Sequence, residues 1–342
     1  MAYNHVRNFL LRRPSLFLCS VRLTSLCSQA CLQCRIPSQS DGSFFEPESF
    51  EVVCRKLYKY GTRILILSWG EPALHPQLED IFAIAKKYRF RSMSILTNLY
   101  YSEAQQDKVI GLSAKYGIGI HTSYDGLGDT ADRLRGAKDV QATVERAMNR
   151  INELRKQGIY QRKPTATVVI SALNIDQIPD IIQRLQDLDW NLNADLYRWG
   201  SINHREQDVL KLNDKAKVIQ TINLIRRTKN LKTPLWYYDG LLKYQAGKMK
   251  KQCPYLISPT FGSKFFVHEN GELHTCMDGS LGNLLNDEVK DIFRSQPWRD
   301  MQRGFINCQG CWNNCFTVSS RALSYLHWPT IRQFMMMKSS RT

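Results

Sequence analysis

The chain has 342 residues, 43% of them hydrophobic, with 19 glycines and 12 prolines. That is enough apolar material for a sizeable core, and it excludes a wholly disordered chain. The formal net charge of +16 is spread rather than blocked, so it permits an anionic partner without demanding one. No apolar run approaches the roughly 18 residues of a membrane-spanning helix.

At the N-terminus Arg12 and Arg13 precede an apolar run over 15–21, which superficially suggests an export signal. Arg22 ends that run and no small-residue cleavage site follows, so the stretch is expected to be a first buried strand and the chain to stay in the cytoplasm. Strands are expected at 15–23, 63–68, 91–96, 117–123, 165–171 and 193–198. Helices are expected between them, at 47–60, 76–88, 103–115, 138–157 and 175–188. Alternating strands and helices imply βαβ units and a parallel sheet. Six strands cannot close an eight-stranded barrel, so a partial barrel is expected, with function at the C-terminal strand ends. Turn signals fall at those ends: Trp69 to Pro72, Thr97 with Asn98, and Asp125 with Gly126. Residues 205–251 are helical and basic, with Lys243, Lys248, Lys250 and Lys251, and read as a linker. A cysteine-containing module follows over 252–320. The tail, 321–342, is basic without an acidic residue and leaves a peripheral contact with an anionic membrane open.

Ten cysteines stand at 19, 27, 31, 34, 54, 253, 276, 308, 311 and 315. In a long chain, thiols so grouped point to metal or redox chemistry rather than a disulfide framework. Cys19 and Cys54 fall in strand and helix patterns and read as buried free thiols. Cys27, Cys31 and Cys34 share one loop directly after the first strand. Three thiolates can hold three irons of a cubane and leave the fourth open, whereas a structural zinc site wants four protein ligands.

This CxxxCxxC loop resembles that of the radical S-adenosylmethionine (SAM) superfamily. The resemblance implies a [4Fe–4S] cluster whose open iron is chelated by SAM. Its reduction would give methionine and a 5′-deoxyadenosyl radical that abstracts a substrate hydrogen, with an electron donor such as flavodoxin or ferredoxin. The family usually has an aromatic before the last cysteine, where this chain has Gln33. Three further matches follow in the family's order. Gly70, Glu71 and Pro72 match the "GGEP" turn, with Trp69 in place of the first glycine; there glycine permits close approach, and Glu71 offers an acceptor to the SAM ammonium. Thr97 and Asn98 match the "TN" ending of the third strand. Ser123, Asp125 and Gly126, with Asp132, Arg135 and Gly136, resemble the stretch near SAM's ribose and carboxylate. The resemblance covers about residues 14–204, as a partial (β/α)6 barrel.

The later cysteines, Cys253, Cys276, Cys308, Cys311 and Cys315, resemble the SPASM or "twitch" extension, which carries auxiliary iron–sulfur clusters; Gly271 and the Gly282–Asn283 pair also fit it. A full SPASM domain has about seven such cysteines for two clusters, so five suit one [4Fe–4S] cluster with a thiol spare. Cys253, Cys276 and Cys315 are the expected ligands, with Cys308 or Cys311 as the fourth. A structural zinc ribbon is the alternative. His268 and His274 flank Gly271 on an expected hairpin and read as surface residues. His121 falls inside the fourth strand, where a proton-transfer role is conceivable. Tyr124, Tyr197 and Trp199 stand near strand ends, with aromatic packing their default. No catalytic residue is assigned.

The expected activity is therefore radical oxidation, epimerisation or bond formation at an unactivated C–H. A small molecule such as a sugar, a nucleotide-linked sugar or a lipid precursor is favoured, because only 26 residues precede Cys27 and a peptide-binding domain would need more. A peptide-modifying maturase is the alternative. A zinc-containing nucleic-acid-binding protein, motivated by the charge, is the contrasting class, with nucleic acid not the expected partner.

Overall fold

The computed structural model describes residues 16–36, 40–198, 205–249, 253–256, 264–276, 279–308 and 310–323. Trp199, Lys250, Lys251 and the tail beyond 323 lie outside these.

Six parallel strands follow one another in order: β1 Leu18–Val21, β2 Ile64–Leu67, β3 Ser92–Leu96, β4 Gly119–Ser123, β5 Thr165–Ile170 and β6 Asn191–Leu196. The crossovers are helical: α1 Pro47–Tyr60, α2 Leu78–Lys87, α3 Glu103–Tyr116, then α4 Asp129–Arg135 with α5 Val140–Lys156, then α6 Ile178–Asp187. The architecture is the expected α/β barrel arc with a C-terminal extension. The short α4 has no counterpart among the expected helices, because its seven residues are too few to show a helical period.

Side-chain alternation separates the two faces of the sheet. Cys19, Leu65, Ile95, Ile120, Val168 and Leu192 are buried on the face that the helices cover. The opposite parity brings Ser20, Ser94, His121, Thr167, Asn193 and Asp195 to the inner face. The same parity also brings Ile64, Ile66, Leu96 and Val169 to that face, so the inner wall mixes polar and branched apolar side chains.

Residues 205–249 hold α7 Lys215–Arg226 and α8 Leu235–Gln245. Between them, Asn230 and Lys232 hydrogen-bond to Leu192 at 2.8 and 2.7 Å, and the Tyr238 hydroxyl donates to the Ala194 carbonyl at 2.8 Å. The stretch expected to be a linker thereby covers the exposed edge of β6.

The C-terminal part adds β7 Phe265–Val267, β8 Glu272–His274 and β9 Gly282–Asn283, then α9 Val289–Ile292, α10 Gln296–Asn307 and α11 Asn314–Leu323. β7 pairs in parallel with β1, so these strands extend the same sheet to nine in the order β6-β5-β4-β3-β2-β1-β7-β8-β9. Helix α11 reaches both ends of the barrel arc: Asn314 donates to Asn193 of β6 at 2.6 Å, and the Phe316 ring lies 5.9 Å from Phe266 of β7. No helix among the described residues is long and apolar enough to cross a membrane.

Candidate active site with two cysteine groups

The loop carrying Cys27, Cys31 and Cys34 is gripped from two sides by glycines. Gly70 lies at φ +59°, and a Cβ there would stand 2.4 Å from the Thr24 carbonyl oxygen. Gly136 lies at φ +62°, and a Cβ there would stand 2.5 Å from the Ala30 carbonyl oxygen. Only glycine allows either approach. The Glu71 N–H donates to the Leu26 carbonyl and the Leu32 N–H to the Leu134 carbonyl, so both turns are also hydrogen-bonded to the loop.

Glu71 is fully buried. Its carboxylate accepts from the Ala73 N–H at 3.1 Å and the Asn98 N–H at 2.7 Å, with Tyr101 and Thr97 hydroxyls alongside. Burial still pushes its pKa up. Through these four donors the carboxylate ties the β2 turn to the end of β3. Pro72 opens a short 3-10 turn behind it. Thr97 bonds the Tyr101 hydroxyl at 2.6 Å, and Asn98 points back at the loop, its amide 3.0 Å from Ser28 Oγ and 3.9 Å from Cys27 Sγ.

Asp125 and Arg135 form a buried ion pair at 2.9 Å. Asp125 also accepts from the Val169 N–H at 2.7 Å, while Arg135 donates twice to Gln29 Oε1 at 3.0 and 2.8 Å. Gln33 donates to Asp125 at 3.3 Å. The polar residue in the family's aromatic position therefore wires the loop to β4. Ser123 is partly exposed on the inner face of β4, one turn from this pair.

All three loop thiols are free, and burial raises their pKa values, that of Cys31 to about 12, although the Arg135 charge opposes the rise. A buried thiol that resists ionisation becomes a thiolate when a metal replaces its proton. Two buried amide atoms beside the cysteines, Gln29 Nε2 and Gln33 Oε1, have no hydrogen-bond partner among the described residues. One donor and one acceptor left over beside three free thiols suit a cluster with a polar exogenous ligand better than a plain zinc site. The residues fit the group that the motif implies.

The second group is assembled from separated segments. The Cys253, Cys276, Cys308 and Cys311 thiols are in mutual electrostatic reach, and Cys253 shares a hydrogen bond with Cys308. Burial raises Cys253 to about 12 and Cys311 to about 11. Cys315 is exposed at the start of α11 and couples to Cys311. A second buried arginine stands here: Arg198, paired with Asp195 at 3.1 Å, opposes the rise at Cys311 and donates to the Trp312 carbonyl. Sequence reasoning missed Arg198 and Asp195, because nothing near them in the chain marks a ligand set. Gly282 and Asn283 form β9, and Gly271, at φ +85°, turns the β7–β8 hairpin.

The remaining candidates divide. His121 lies on the inner wall; burial, with Lys232, Arg162 and Lys264 nearby, lowers its pKa to about 4. Tyr124 and Tyr197 are buried and bonded to Glu145 and the Arg205 carbonyl, respectively. Cys19 and Cys54 are buried free thiols. His268 and His274 are half-buried on the hairpin. Trp69 adopts φ 73°, a conformation that suits the family's glycine, and its ring packs 4.6 Å from Phe266 and 5.6 Å from His268.

Comparison with known proteins agrees with this geometry. Residues 21–185 match the family model described as the radical SAM superfamily, and residues 260–315 match SPASM, described as an iron–sulfur cluster-binding domain. A probable GTP 3′,8-cyclase of Thermoplasma volcanium is 26% identical over 314 residues, 84% of this chain and 89% of the relative. The sporulation killing factor maturation protein SkfB of Bacillus subtilis is 24% identical over 326 residues, 90% of this chain and 70% of the relative. The crystal structure of Streptococcus suis SuiB bound to precursor peptide SuiA aligns with a TM-score of 0.67 at 15% identity, covering 89% of this chain and 71% of that one, a likeness of fold. The two domains imply a [4Fe–4S] cluster, SAM and auxiliary iron–sulfur binding. The chain therefore carries a radical SAM domain over residues 21–185 and a SPASM region behind its barrel over residues 260–315.

Proposed function

We propose that this enzyme cleaves SAM reductively and removes a hydrogen atom from a small polar molecule enclosed by the barrel. The clamped loop carries the proposal, because Cys27, Cys31 and Cys34 stand at the mouth of the arc beside Gln29 and Gln33 atoms that have no partner among the described residues. One-electron cleavage of SAM to a 5′-deoxyadenosyl radical is the chemistry that a cluster held by these three thiolates supplies.

The chain's own residues do the rest. Gly70 and Gly136 fix the loop against two neighbouring turns, and Arg135 offsets thiolate charge from a position locked by Asp125. Asn98 offers its amide to Cys27. Cys253, Cys276, Cys308 and Cys311 would hold the auxiliary cluster, with Cys315 as the spare thiol. The polar part of the inner wall, Ser94, His121, Thr167 and Asn193, offers hydrogen-bonding groups to a polar substrate. An electron carrier such as flavodoxin or ferredoxin would reduce the first cluster. The GTP 3′,8-cyclase likeness supports a small-molecule substrate, whereas the likeness to SkfB favours a second reading, peptide maturation.

The test is 5′-deoxyadenosine production by anaerobically reconstituted, reduced protein. Extracts of fully deuterated cells are split into a small-molecule and a peptide fraction. Deuterated 5′-deoxyadenosine from the small-molecule fraction alone is expected. Label drawn only from peptides would replace the substrate assignment, and no SAM cleavage at all would remove the activity.

A further inference from the structure

The β7–β8 hairpin carries a set of donors that neither iron–sulfur site uses. Antiparallel pairing sets Phe266 opposite His274 and Val267 opposite Leu273, and the His268 N–H donates to the Glu272 carbonyl at 3.0 Å. By alternation, His268, Glu272 and His274 share one face, while Val267 and Leu273 are buried on the other. One ligand atom from each of the three lies within 4.8 Å of the other two.

The hydrogen bonds decide which atoms are available. His274 Nδ1 stands 3.1 Å from the Gly279 carbonyl, which can only accept, so Nδ1 carries the proton. His274 Nε2 stands 3.4 Å from Glu272 Oε2, a pair that a proton or a metal ion between ring and carboxylate would satisfy. The His268 ring stacks on His274 with centroids 4.0 Å apart and planes 22° apart. The nearby Arg22 does not supply the missing positive charge, because Glu269 takes both arms of its guanidinium, one bond at 2.9 Å. A carbonyl locking the tautomer of a ligating histidine is the usual support of a metal-bound imidazole.

We propose that His268, Glu272 and His274 form a mononuclear site for a divalent transition metal. Two imidazoles and one carboxylate suit zinc or iron(II), and three protein ligands leave coordination positions open. The site lies at the rim of the barrel. The register of β7 with β1 puts His268 beside Arg22, five residues before Cys27, and His274 is two residues from Cys276. Trp69, held at φ 73° next to Gly70, packs against His268, so the metal would stand between the SAM turn and the second cysteine group. From there its open positions can take an oxygen donor, a carboxylate or phosphate of the substrate, as a Lewis acid orients a substrate.

The experiment uses full-length, anaerobically reconstituted protein equilibrated with zinc chloride, with zinc, iron and sulfide measured on the same sample. About one zinc per chain beyond the cluster iron is expected. The double variant His268→Ala, His274→Ala should weaken zinc binding more than about tenfold with iron and sulfide unchanged. If that variant also loses iron, Glu272→Gln decides: zinc lost with iron kept upholds the site. Zinc retained in the variants, or no zinc bound by the parent protein, overturns it.

Discussion

The two cysteine groups solve one problem, holding several thiols together ready for iron, in different ways. The first draws Cys27, Cys31 and Cys34 from eight consecutive residues and braces them with glycine contacts to two turns. The second collects Cys253, Cys276, Cys308 and Cys311 from three distant stretches and relies on aromatic packing, with Tyr255 stacked 4.4 Å from Phe305. Each has an Asp–Arg pair beside it. Asp125 and Arg135 are 1% and 11% exposed, Asp195 and Arg198 18% and 14%. The first group is thus built into the strand ends, whereas the second is laid across them.

The sharpest break of this comparison is to remove one group at a time. Replacing Cys27, Cys31 and Cys34 by alanine should abolish SAM cleavage and leave about four irons per chain. Replacing Cys253 and Cys276 should remove the other iron and leave SAM binding, measured by iron content and 5′-deoxyadenosine yield.

The next effect concerns the ion pairs. Arg135→Met strands Asp125 as a buried charge and should cost about 3–5 kcal/mol. Arg198→Met, beside the better hydrated Asp195, should cost less; equal losses by denaturant unfolding would erase the contrast. Gly136→Ala drives a Cβ into the Ala30 carbonyl at positive φ and should cost about 2–4 kcal/mol. The same change at Gly247, also at positive φ but with open space around it, should cost less.

A pH effect comes next. His121 is held at about 4, below its ordinary 6.5. As pH falls from 6.5 towards 4, the unfolded chain takes up a proton that the folded chain refuses, so stability is lost across that window, by up to about 3 kcal/mol. His121→Gln should flatten this slope in pH-dependent melting. The smallest effect is at Gln33: Gln33→Phe restores the family's aromatic, removes one bond to Asp125, and should cost about 1 kcal/mol.

Much of the first region was legible because its information is local. Strand and helix periods placed five of the crossover helices, and the cysteine spacing lies within one loop. The second region was legible only as composition. Nothing in the order of residues says that β7 pairs with β1, or that 230–232 cover the edge of β6. Its ligand set depends on which of Cys308, Cys311 and Cys315 the chain folds towards Cys253 and Cys276; Cys308 and Cys315 are both exposed, and only Cys308 shares a hydrogen bond with Cys253. Glu71 shows a subtler limit. The motif marks Glu71 as an acceptor, but the two backbone amides and two hydroxyls around it come from the β2 turn and the end of β3, which no local pattern announces. The Trp69 substitution was visible in the sequence, but its strained backbone and its packing on His268 were not.

The most direct test of the open iron is electron paramagnetic resonance of the reduced protein, with Cys276→Ala and Cys311→Ala removing the auxiliary signal. With about four irons bound, adding SAM should change the spectrum of the remaining cluster. A full complement of iron with a spectrum indifferent to SAM would contradict the account.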